Sequence, residues 1–79
     1  MNTKLVIAFT NFDMARADRL NDKEQLGWQG WDVSGYEGEF RDEIRKHAKK
    51  DLTQEDLVDI ANYCNFLWSL LEEKRKEEK

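Results

Sequence analysis

Gln54-Glu55-Asp56-Leu57-Val58-Asp59-Ile60-Ala61-Asn62-Tyr63-Cys64-Asn65-Phe66-Leu67-Trp68 is an apolar run broken by acids, and its period decides the fold. Leu57, Ile60, Ala61, Cys64, Leu67 and Leu71 recur at helical spacing, and Tyr63, Phe66 and Leu70 mark a second arc. A helix that is apolar on two faces needs a partner on each. Two other helices of one short chain leave part of that surface over. The expectation is therefore an all-α, three-helix chain forming a helical bundle completed by homodimerisation.

The acids in this run suggest chemistry. Asp56 and Asp59 are three apart and Glu55 and Asp59 four apart, so all project from one side of the helix. Asn62 adds an amide at the edge of that arc. Carboxylates beside strongly apolar residues are costly to bury without a compensating cation. A divalent metal is the obvious candidate, because hard cations such as magnesium prefer carboxylate oxygens.

Working outward, the chain has no proline, and its four glycines (Gly27, Gly30, Gly35, Gly38) mark one main connection. Before it, Leu5, Ala8, Phe9, Phe12, Ala15 and Leu20 follow a helical period, with an exit expected at Asn21-Asp22. Leu5-Val6-Ile7-Ala8-Phe9 also fits a short strand. After the connection, Ser34 and Glu37 have the spacing of a capping box, and Tyr36, Phe40 and Ile44 form the stripe of a second helix. Glu39 and Glu43 lie beside that stripe, followed by Lys46 and His47. Lys49-Lys50-Asp51 is a polar joint to the third helix.

Composition bounds the function. The chain has 79 residues, 38% of them charged and 39% apolar, which fits one small folded domain. Residues 1–71 make a single helical domain and 72–79 a charged, solvated tail. The net charge of -4 argues against nucleic acid or anionic membrane as partners. Met1 to Phe12 is too short and polar to span a membrane. A lone cysteine, Cys64, excludes an intramolecular disulfide and fits a cytoplasmic location. Phosphate-binding loops, dinucleotide fingerprints and zinc-ligand spacings are absent from the sequence.

Three blocks resemble the MazG-like all-α nucleoside-triphosphate pyrophosphohydrolases, particularly the small phage and archaeal ones. They are Met14-Ala15-Arg16-Ala17-Asp18-Arg19-Leu20-Asn21-Asp22-Lys23 with Gly27-Trp28-Gln29-Gly30-Trp31, then Phe40-Arg41-Asp42-Glu43-Ile44, then Asp56-Leu57-Val58-Asp59-Ile60-Ala61-Asn62-Tyr63. The family pattern is two acids three apart, a connection, and two more acids three apart. Here Glu43 falls on the first acid, Lys46 stands where the second would be, Asp56 replaces a glutamate and Asp59 matches.

The resemblance implies Mg2+-dependent hydrolysis of a nucleoside triphosphate to monophosphate and pyrophosphate, with Mn2+ as a substitute metal. Glu43 and Asp59 would be catalytic, and Glu39, Glu43, Asp56 and Asp59 would hold the metal. Lys23, Trp28, Trp31, Lys46 and Asn62 would contact the nucleotide. The alternative is a non-catalytic MazG-like helical dimer that binds a nucleotide or a protein partner, with Lys46 paired to Asp59.

Plainer roles compete for the same residues. Thr53 caps the third helix in one reading, with Asp56 bonding back to the cap and Glu55 favouring the positive helix end. Glu43 equally suits a salt bridge to Lys46 or Lys50. His47 reads as a partly exposed helix residue, Trp28 and Trp31 as hydrophobic anchors, and Cys64 and Trp68 as core.

Overall fold

Three helices, α1 (Thr3–Gln25), α2 (Glu37–His47) and α3 (Gln54–Glu77), make up the computed structural model, which describes residues 2–28, 30–48 and 51–77. The fold is all-α, and Leu5 to Phe9 is helix rather than strand. Gln29, Lys49 and Lys50, named in the connector and the polar joint, lie outside the described residues, as do Glu78 and Lys79 at the end of the tail.

Local chemistry sets each helix end. Asn2 starts α1 by accepting the Leu5 N–H at 2.8 Å. The helix runs past Asn21-Asp22 and stops where Gly27 adopts a left-handed φ of 83°. There the Trp28 N–H donates to the Lys23 carbonyl at 3.0 Å and the Gly27 N–H to that of Glu24 at 2.9 Å. This is the glycine stop that satisfies orphan carbonyls.

The second helix begins at Glu37, later than Ser34. Glu37 accepts the Gly35 N–H at 3.0 Å, so the expected Ser34–Glu37 box is replaced by a bond to the intervening glycine. Gly35 sits at φ 106°, outside any helix, which displaces the start. α3 has the box expected of it. Thr53 Oγ1 accepts the Asp56 N–H at 3.1 Å, and Asp56 Oδ2 accepts the Thr53 N–H at 3.1 Å. Segment 72–79, expected as a solvated tail, stays helical to Glu77, with Arg75 bonded to Glu72 at 2.6 Å.

The order of contacts gives the topology. Phe40 meets Tyr63 and Phe66, while His47 meets Tyr63 and Asp59, so α2 runs antiparallel to α3. Phe12 and Ala15 lie by Gln54 and Val58, and Leu20 and Glu24 by Asn65 and Phe66. α1 therefore runs along α3 in the same direction.

Phe40, Phe66 and Leu70 form the buried core, with Leu20, Trp28, Tyr63 and Leu67 packed on it. Burying each of these three side chains contributes about 1.5–3 kcal/mol. Trp28 and Trp31 fold back with ring centroids 5.4 and 5.7 Å from that of Phe66. Both tryptophans serve as anchors.

Of the two apolar arcs of α3, one is well covered and the other only in part. Asp59, Asn62, Phe66 and Leu70 are buried, whereas Leu57, Cys64, Leu71 and Trp68 are exposed. Cys64 and Trp68 are thus surface residues, contrary to the core role the sequence suggested. The eleven-residue α2 and the tryptophan connector both crowd onto the Phe66 arc, so of the other arc Leu67 reaches the core, Ile60 and Ala61 are half-buried, and Leu57, Cys64 and Leu71 stay exposed. On α1, Leu5, Val6, Ile7, Phe9, Phe12 and Met14 are exposed as well. Among the described residues no helix is long and apolar enough to cross a membrane.

Candidate functional site

The helical spacing of Tyr36, Glu39, Phe40 and Glu43 puts them on one side of α2, facing the connector and α3. With Trp28, Gly30, Asp42 and Tyr63 they line a pocket of about 510 Å³. Among the described residues its walls carry four aromatic side chains, and the charged ones there are all acids. Lys23, in the last turn of α1, places Nζ 5.1 Å from the Trp28 ring centroid and 5.0 Å from that of Tyr63. This ammonium lies against ring faces, where the aromatic quadrupole attracts it. Burial, then the negative charges of Glu43 and Asp59, push the Tyr63 phenol above its ordinary range.

Behind the pocket, His47 stands between two of the expected catalytic residues. Its Nδ1 lies 2.8 Å from the Glu43 carbonyl oxygen, one turn back, and 3.7 Å from Glu43 Oε2. A carbonyl only accepts, so Nδ1 carries the hydrogen and donates it. Nε2 then faces Asp59 Oδ2 at 4.0 Å. Glu43 of α2 and Asp59 of α3 are thus brought to opposite sides of one imidazole.

Asp59 is committed elsewhere. At 7% exposure it is buried, and Arg19 of α1 donates through Nε to its Oδ1 at 3.1 Å. The Asp59 bond and charge raise the Arg19 guanidinium further above its already high range. Arg19 also reaches Glu55 at 3.8 Å. One turn along, Asn62 accepts from Arg16 Nε at 3.0 Å and donates to the Arg16 carbonyl oxygen at 3.4 Å. Arg16 is held in turn by Asp13 at 3.1 Å. Among the described residues Asn62 is the most deeply buried polar one, at 2% exposure, and these bonds account for both ends of its amide.

The expected site residues therefore fall into separate groups. Glu39, Glu43 and Trp28 share the pocket, and Lys23, outside its lining, lies against the Trp28 ring. Asp59 and Asn62 form the ionic contact with α1. Asp56 is bonded in the cap of α3. Trp31 is partly exposed and stacks on Phe66, and Lys46 is exposed, with Arg19 instead the cation on Asp59. Glu43 has His47 as its neighbour, while Lys50 lies outside the described residues.

Glu39, Glu43, Asp56 and Asp59, the expected magnesium ligands, are not gathered as one set here. Among the described residues no three His, Cys, Asp or Glu side chains come together as ligands. One of the four is bonded in a helix cap and another by a guanidinium.

Reading for acids alone missed Arg16, Arg19 and the position of His47. The available signal was spacing. Arg16 and Arg19 are three apart on α1, as Asp59 and Asn62 are on α3, although the bonds cross, the earlier arginine reaching the later residue. No family model, curated protein or solved structure matches this chain.

Proposed function

We propose that the chain is a non-catalytic helical binding protein of MazG-like type that works as a homodimer and takes its ligand in the pocket between α2, α3 and the connector. The observation that carries this is the bond from Arg19 to Asp59. It engages, through an internal cation, the carboxylate on which metal chemistry would depend. The exposed apolar residues of α1 and of the outer arc of α3 support dimerisation, since patches of this kind mark association surfaces.

Titration calorimetry with Mn2+ as a magnesium surrogate tests the non-catalytic reading. The expected result is no saturable binding, and no pyrophosphate release from any common nucleoside triphosphate. Saturable Mn2+ binding that Asp59→Asn abolishes would overturn it. Light scattering tests the dimer, which Leu57→Glu and Phe12→Glu together should convert to monomer.

A second reading, the Mg2+-dependent pyrophosphohydrolase, draws on the convergence of Glu43 and Asp59 at His47 beside a nucleotide-sized pocket. It requires Arg19 to release Asp59. Pyrophosphate release by Arg19→Gln, lost on Glu43→Gln, would favour it.

A further inference from the structure

We infer that the pocket is a receptor for a small organic cation of the alkylammonium class. This rests on the binding reading above and supplies its ligand chemistry. Trp28, Tyr36, Phe40 and Tyr63 present aromatic rings, while Glu39, Asp42 and Glu43 bias the same space negative. Carboxylates that do not converge cannot chelate a metal ion, yet they still favour a diffuse positive charge. An alkylammonium suits both features, since its charge is attracted to ring faces and its alkyl groups are content against apolar walls. An anion such as a bare phosphate meets only like charge among the described lining side chains.

The protein already supplies a cation of this kind. Lys23 Nζ is about equally distant from the Trp28 and Tyr63 rings, at 5.1 and 5.0 Å. These rings are therefore open to an ammonium at the usual cation–π distance. Lys23 does not line the pocket, but its ammonium is a tethered occupant of two of the pocket's rings, and a free alkylammonium competes with it for them. The competition sets the affinity and makes Lys23 a specificity-determining residue. A volume of about 510 Å³ leaves room for a trimethylammonium group and its substituent.

The experiment is calorimetric titration of the full chain with choline in chelator-treated buffer. A parallel titration uses its neutral carbon isostere, in which a tert-butyl group replaces the trimethylammonium. Wild type, Lys23→Gln and Glu39→Gln are compared, with circular dichroism reporting the fold of each.

Choline should bind Lys23→Gln about three- to tenfold more tightly than wild type, the range expected when one competing cation–π contact is removed. The neutral isostere should bind both proteins more weakly than choline, and Glu39→Gln should weaken choline alone. Lys23 shapes the end of α1 only through its backbone carbonyl, so Lys23→Gln retains that helix stop.

Equal affinity for choline and its isostere would overturn the inference. So would the absence of choline binding by folded Lys23→Gln. Neither result bears on Mn2+ binding or pyrophosphate release, which judge the non-catalytic reading separately.

Discussion

Arg19 Nε and Asp59 Oδ1 are 3.1 Å apart, joining α1 to the buried end of an acid that has His47 on its other side. Removing the guanidinium strands a carboxylate that is only 7% exposed. Arg19→Gln should therefore destabilise the fold by about 1–3 kcal/mol, nearer the lower figure because the arginine side chain is 38% exposed and solvent screens the pair. Urea denaturation measures this. A midpoint indistinguishable from wild type would show that the bond carries no stability.

Asn62 should matter at least as much as the ion pair. Its amide is bonded at both ends to Arg16 and has almost no access to water. Asn62→Ala is expected to cost about 1–3 kcal/mol, and a double-mutant cycle with Arg16→Ala should show coupling of roughly 1 kcal/mol. Additive effects would mean that the two side chains act independently.

Asp56 and Thr53 form a separate unit. Either alanine substitution should lower stability by about 0.5–2 kcal/mol, the usual cost of losing a helix cap. Titration of Asp56→Ala with Mn2+ should give the same heats as wild type. A difference would restore Asp56 to a metal site.

Tyr63 predicts a loss of stability in alkali. Burial and the nearby acids raise its phenol above the ordinary 10.0 in the folded state. Between that value and the raised one, the unfolded chain has lost the proton that the folded chain keeps, so unfolding becomes easier as pH rises. The stabilisation is complete below pH 10 and falls away as pH climbs through the folded-state value. The wild-type denaturation midpoint should fall relative to that of Tyr63→Phe as pH rises above 10, because the phenylalanine has no proton to lose; parallel curves would contradict the assignment.

The sequence made the helices legible because their periods and glycines are local signals. The Thr53–Asp56 cap was readable for the same reason, its partners being three residues apart. Gly27 was the stop that α1 needed, and Asn21-Asp22 looked suitable only while the glycine's left-handed backbone was unknown. The choice between the two arcs of α3 was not local. Both are apolar, and only the return of Trp28 and Phe40 onto Phe66 decides which is covered. The candidate site suffered most from this. Acids on α3 look alike until α1 is laid beside them in register, and then Arg19 selects Asp59 while Asp56 stays with its cap.

Along α3 the ionic level of Asp59 and Asn62 comes first, and the dry level of Phe66 and Leu70 follows one to two turns later. Each level answers to a different property of the medium. Dissolved salt screens partly exposed charge pairs and leaves apolar burial intact or strengthens it, whereas cooling weakens apolar burial. The same three helices thus carry two distinct sensitivities, stacked along one rod, and brine and cold should loosen neighbouring levels of it.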